Sequence, residues 1–92
     1  MYEQRIQIIN KLGLHVRAAT KLVQTASEFD GEITISCNGQ EADAKSIMDV
    51  LMLAAIYETY IDINISGENE AQEQKAAAAL TTLINDRFGE NE

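Results

Sequence analysis

The stretch GEITISCNGQEADA, residues 31–44, decides the fold. Ile33, Ile35 and Cys37 alternate with Glu32, Thr34 and Ser36, the period of a strand with one buried and one wet face. Asn38-Gly39 follows at once. A two-residue hairpin turn needs positive φ at both central positions, and Asn and Gly tolerate it best. The chain therefore returns antiparallel through Gln40–Ala44, a short and weakly patterned strand. A sheet with one polar face needs cover on the other face only.

The same reading extends outward. Upstream, Met1–Ile9 sets Ile6 and Ile8 against Arg5 and Gln7 as a further strand, broken by Asn10-Lys11-Leu12-Gly13. From Val16 the period lengthens. Ala19, Leu22, Val23 and Ala26 fall at helical spacing, while Thr20, Lys21, Gln24, Ser27 and Glu28 face away. Phe29 closes that stripe and Asp30-Gly31 turns the chain. Downstream, Ser46 opens a brief helix from Ile47 to about Ala55, with Asp49 three residues on as a capping-box partner. Ile61, Ile63 and Ile65 alternate with Asp62, Asn64 and Ser66 in another strand. Gly67–Asn69 leads into a long Ala-rich helix. Its buried stripe is Ala76, Ala77, Leu80, Leu83, Ile84 and Phe88, and Gly89 is its C-terminal stop. The order β-α-β-β-α-β-α predicts an α+β open-faced β-sandwich, an antiparallel sheet covered on one face by helices. Such folds host many activities, so periodicity is silent on function.

Ninety-two residues without proline, linker or internal repeat predict one domain, 1–92. A net charge of −8 argues against nucleic-acid binding, which needs clustered Lys and Arg, and against an anionic membrane surface. No apolar run reaches the ~20 residues of a membrane span, and the N-terminus lacks a signal-peptide pattern. A lone Cys37 forms no internal disulfide. The expectation is a small, acidic, cytoplasmic domain without membrane insertion.

Chemistry concentrates at Gly13-Leu14-His15-Val16-Arg17-Ala18-Ala19. His15, the one histidine, sits where a strand-to-helix connection enters the first helix. The first amides of a helix, here those of Val16 and Arg17, lack intrahelical partners and form an anion site. The positive dipole end disfavours imidazolium, leaving the ring neutral and nucleophilic. A ring nitrogen so placed can attack a phosphoryl group. The adduct's charge then falls on those amides and on the Arg17 guanidinium. A single His at a helix start also serves as a cap or surface residue, and Arg17 as a solvated first-turn cation, so these residues alone leave the choice open. No second His, Cys pair or convergent carboxylate set accompanies them, so no metal and no hydrolase chemistry is expected.

Gly13-Leu14-His15-Val16-Arg17-Ala18-Ala19 is similar to the active-site signature of the histidine-containing phosphocarrier family (HPr), usually Gly-Leu-His-Ala-Arg-Pro-Ala. Lys45-Ser46-Ile47-Met48, leading into Leu51-Met52-Leu53, resembles the family's second signature, which holds a regulatory serine. The intervening spacing, Asn38-Gly39 and the final helix also fit, so the resemblance spans nearly the whole chain. It implies a four-stranded antiparallel sheet with three helices, HPr-like. It also implies a carrier of the bacterial phosphoenolpyruvate-dependent phosphotransferase system. His15 would accept phosphoryl through Nδ1 from Enzyme I and pass it to a histidine of an EIIA-type protein. Such a carrier is a stoichiometric intermediate, not an enzyme, needs no cofactor and works as a monomer. Both the sugar-transport branch and the nitrogen-related regulatory branch (NPr) fit; the acidic balance and Asp49 lean toward the second. The competing reading is a non-catalytic regulatory interaction module of the same fold, in which His15 and Arg17 coincide by chance.

The chain departs from the family pattern at Ala18, where Pro is usual, and at Val16, where a small residue or Thr stands. Asp49 occupies a site where Gly or Lys is common, and Tyr57-Glu58 replaces a pair such as Lys-Gly. Ser46 has two readings, a helix N-cap and an acceptor for the family's serine kinase. Asp49, one turn away, would repel a phosphate there and favours the cap. Val16, Ile47, Met48 and Met52 are expected as an exposed apolar docking patch beside His15, with Leu51 or Leu53 turned to the core. Asp49 lies on the rim of that patch, where Lys21 and Lys45 are the clearest cations.

Overall fold

The computed structural model describes residues 1–91, so the last position of the expected 1–92 unit lies outside it. The elements are β1 (Tyr2–Gln7), α1 (Val16–Ser27), β2 (Glu32–Cys37), β3 (Gln40–Asp43), α2 (Ile47–Met52), β4 (Tyr60–Ser66) and α3 (Glu70–Asn85), followed by a short 3-10 turn at Arg87–Gly89. This is the order read from the sequence. The four strands form one sheet in the order β1-β4-β2-β3, with every pairing antiparallel.

The period-2 pattern fixes which face is buried. Register sets Ile6 opposite Ile61, Ile63 opposite Ile35 and Ile65 opposite Ile33, and all six side chains are buried. A slip of one residue in β4 would turn its three isoleucines to water, so the hydrophobic pattern specifies the pairing. The helices cover this face: α3 packs on β1 and β4, α2 on β3, and α1 on both other helices. The opposite face is polar. There Arg5 Nε donates to Asp62 Oδ1 at 3.2 Å, and the guanidinium stands over the Tyr60 ring. Cys37 ends β2 on the buried face; burial first, and the nearby Asp62 charge second, push its thiol pKa up.

At the hairpin, Asn38 and Gly39 take φ of +51° and +83°, as the Asn-Gly pair demands. Ala18, Ala19, Leu22, Val23 and Ala26 are buried along α1. The last helix is capped by Asn69, whose side chain accepts from the Gln72 amide at 2.8 Å.

Several boundaries differ from the sequence reading. β1 stops at Gln7. Ile8 is still buried, but its amide donates to Thr59 O and its carbonyl accepts from Glu58 N, tying it to the turn before β4. α2 ends at Met52 rather than near Ala55, because Ala54 takes a left-handed φ of +51°. Val50 and Leu53 are its core residues, with Leu51 half-buried. α3 stops at Asn85, short of the stop expected at Gly89. Phe88 belongs to the following turn, where Arg87, Phe88 and Gly89 all have positive φ while the Phe88 ring is fully buried. Burial of one large aromatic side chain outweighs the strain of that backbone. Glu73, on the inner side of α3, was not expected in the interior. Its carboxylate accepts from the Gly67 amide at 2.9 Å and meets the Met1 ammonium at 3.1 Å, and these contacts hold its pKa below the ordinary carboxylate range.

The expected capping box is half made. Ser46 Oγ accepts from the Asp49 amide at 3.3 Å, but Asp49 Oδ2 accepts from the Asp43 amide, not from that of Ser46. The Ser46 amide is already committed to Asp43 O at 3.0 Å, so no donor is left for reciprocation. Ser46→Ala should therefore lower stability by about 1 kcal/mol through loss of the cap. Urea denaturation of the two proteins measures it, and an unchanged midpoint would show that the cap contributes nothing.

Candidate functional site

The site is assembled by one close backbone contact. Gly13 takes φ +67°, a left-handed value, and a Cβ there would lie 2.5 Å from Ala55 O. Leu14 then donates its amide to that same Ala55 carbonyl at 2.9 Å and buries its side chain. Asn10, fully buried, braces the turn from the other side: its Nδ2 donates to Gly13 O at 2.8 Å, and its carbonyl accepts from the Gly13 amide at 3.1 Å. The segment before His15 is thereby clamped onto the chain just after α2.

His15 is the N-cap residue of α1, in an extended conformation with no side-chain cap bond. The first α1 hydrogen bond runs from Ala19 N to His15 O, so the amides of Val16, Arg17 and Ala18 have no carbonyl behind them within the helix. The ring is 29% exposed, open enough for a partner to reach. Its Nε2 is in contact with Glu90 Oε2, while Nδ1 has no hydrogen-bond partner among the described residues. Glu90 comes from beyond the last helix, and its Oε1 accepts from Asn10 Nδ2 at 3.0 Å. Burial works to raise the pKa of Glu90. The hydrogen bonds from His15 and Asn10, with the charges of His15 and Arg17, outweigh it and hold the pKa below the ordinary range. An ionised carboxylate can only accept, so the contact puts a proton on Nε2, and in that tautomer of the imidazole the lone pair is on Nδ1. Arg17 is exposed and lines a shallow cleft with Lys11, Leu12, Gly89, Glu90 and Asn91.

Around this cleft lies an apolar surface. Val16, Met48 and Met52 are each more than half exposed and Ile47 partly so, as the sequence suggested. Leu12 and Ile56 extend the surface, and Ile56 directly follows the carbonyl that clamps Gly13 and Leu14. The expected rim cations are otherwise engaged. Lys21 Nζ donates to Phe88 O at 2.6 Å, and Lys45 Nζ donates to Phe29 O and Gly31 O at 2.7 and 2.9 Å. Asp49 is exposed, with Oδ2 turned to the Asp43 amide. Sequence reasoning missed Glu90, Asn10, Lys11, Leu12 and Ile56. Nothing in their local pattern signals them, because Glu90 meets His15 across 75 positions of chain. No group of three or more His, Cys, Asp or Glu side chains is placed to hold a metal among the described residues.

A family model described as "PTS HPr component phosphorylation site" matches residues 2–86. The chain is 49% identical over 92 residues to the phosphocarrier protein HPr of Neisseria meningitidis serogroup A, covering all of both chains. It is 44% identical over 89 residues to the phosphocarrier protein NPr of Shewanella violacea, covering 96% of this chain and 93% of the other. Among solved structures it is similar to HPr-C-His from Thermoanaerobacter tengcongensis, with TM-score 0.92, 37% identity and full coverage of both chains.

Gly13 is the residue on which this geometry turns. Gly13→Ala should destabilise the protein by more than the ~1–2 kcal/mol of a left-handed L-residue, because the added methyl also meets the Ala55 carbonyl. Urea denaturation reads the loss, and wild-type stability in that variant would refute the close approach.

Proposed function

The chain belongs to the HPr phosphocarrier family, and we propose that it takes a phosphoryl group from Enzyme I on His15 Nδ1 and passes it to a histidine of an EIIA-type protein. The observation that carries this reading is the His15 ring: Nε2 is held by Glu90, Nδ1 is unengaged among the described residues, and the residue itself is the N-cap of α1, whose first amides have no carbonyl partner within the helix. Nδ1 is the nucleophile. Its lone pair attacks phosphorus, and the three phosphoryl oxygens meet the amides at the start of α1 and the Arg17 guanidinium. These donors are strongest where charge develops in the transition state, so they favour transfer over tight retention. The protein is a stoichiometric intermediate and turns nothing over alone.

Docking falls to Leu12, Val16, Ile47, Met48, Met52 and Ile56. Apolar contact over such a patch supports brief association with several partners, and methionine adapts to differing surfaces. Ser46 serves as a helix cap rather than a regulatory acceptor, since a phosphate on its Oγ would crowd the carboxylate of Asp49. The relatives include proteins named HPr and NPr, and the reading at His15 is the same for either branch.

Incubation with phosphoenolpyruvate and Enzyme I, followed by intact mass measurement, tests the reading. One added phosphate, labile in acid and stable in base, is expected for the wild type and none for His15→Ala, which should remain folded. Uptake by the His15→Ala variant would overturn the assignment. Arg17→Ala should slow transfer by about 10–100-fold with little loss of binding, and Arg17→Lys should recover only part. Rapid-quench measurement of phosphoryl transfer reads both, and an Ala variant as fast as wild type would remove Arg17 from the mechanism.

A further inference from the structure

We infer that Glu90 is a positioning residue for the phosphoryl step: its carboxylate fixes the Nε2–H of His15 and stabilises the positive charge the ring gains when Nδ1 bonds to phosphorus. The inference rests on the phosphocarrier reading above and extends it to a residue outside the His15 segment.

Glu90 is held more firmly than an incidental surface contact requires. Its side chain is only 10% exposed, although it lies beyond the last helix. One carboxylate oxygen meets His15 Nε2 and the other accepts from Asn10 Nδ2. Asn10 is itself fully buried and spends its second amide proton on Gly13 O, two residues before His15. The carboxylate and the ring are therefore referenced to the same turn. Asn10 Oδ1 is buried with no partner among the described residues, an unfavourable arrangement that persists because the donor side of the amide is fully used. The backbone leading to Glu90 is fixed as well, by the buried Phe88 ring and by Lys21 Nζ on Phe88 O. Charged groups nearby are mostly cationic: Arg17 and Lys11 line the cleft beside Glu90, Lys21 lies against Gly89, and Arg87 and Asp86 belong to the preceding turn.

The chemistry balances without a proton acceptor. The Nδ1 lone pair forms the new N–P bond, and the bond to the partner's phosphohistidine breaks with its electron pair returning to that ring nitrogen. The proton on Nε2 stays where it is. His15 thus passes from neutral imidazole to a phosphorylated cationic ring, and Glu90 becomes its counter-ion on the side away from phosphorus. When the group moves on, the N–P pair returns to Nδ1 and the ring is neutral again. Stabilisation of developing positive charge by a hydrogen-bonded carboxylate is the role of the buried aspartate in a Ser-His-Asp triad, here applied to a histidine that is itself the nucleophile.

Glu90→Gln keeps the size and an acceptor for His15 Nε2, removes the charge and gives up the bond from Asn10 Nδ2; Glu90→Ala removes charge and hydrogen bonds alike. Two donors are compared: phosphorylated Enzyme I, and phosphoramidate, which is too small to need a docking surface. The Gln variant should be phosphorylated about 5–10-fold more slowly by both, the difference between a charge-assisted and a neutral hydrogen bond. Its KM for Enzyme I should match wild type and its urea transition should remain cooperative, and the Ala variant should be slowed at least as much. A Gln variant as fast as wild type with phosphoramidate overturns the inference, whether or not it is slowed with Enzyme I. A wild type that accepts phosphate from neither donor overturns the phosphocarrier reading itself.

Discussion

The placement of His15 beside the end of α2 depends on two backbone segments lying closer than side chains allow. Gly13 approaches the carbonyl of Ala55, and Leu14 donates to the same oxygen. One carbonyl thus joins the start of α1 to the end of α2. The left-handed Ala54 turns α2 off so that Ala55 can present that carbonyl, and Ile56 then emerges beside the His15 loop. Without the contact, the two segments that resemble the family signatures would be two separate loops. With it they form one surface, the His15 ring bordered by apolar side chains.

Charge is distributed to suit that surface. The chain holds 15 acidic residues against 7 Lys and Arg. Arg5 pairs with Asp62 on the open face of the sheet, and Lys21 and Lys45 cap carbonyls at the ends of turns. Lys11 and Arg17 stand at the cleft beside His15. Two cations thus share the cleft with the Glu90 carboxylate on an otherwise strongly acidic protein. Fields from exposed charges of this kind decay over about 10 Å at 0.1 M salt.

The fold was legible because it rests on local patterns. Alternation in Glu32–Cys37 and Tyr60–Ser66, the Asn-Gly turn and the Ser46 cap are each written within a few residues. The placement of His15 at the head of a helix was legible for the same reason. Glu90 was not, since it reaches His15 through a turn whose shape is set by burial of Phe88 rather than by propensity. Continuing the helical stripe to Phe88 was the natural reading of its spacing. The structure instead turns through three left-handed residues, and tertiary packing overrides the local preference. The fates of Lys21 and Lys45 were hidden likewise: a lysine seeking a carbonyl and a lysine in water look alike in sequence.

Cys37 has a consequence for how the protein can be studied. It is the sole thiol of the chain, it is buried, and both burial and Asp62 keep it protonated. The thiolate is the species that attacks alkylating reagents, and little of it forms in the folded state. A cysteine introduced on the exposed side of α1 or α3 would carry a fluorophore or spin label at one defined position, with no need to remove the native residue. The interior that closes over β2 thereby leaves the surface blank to thiol reagents, ready for a single reporter of its encounters.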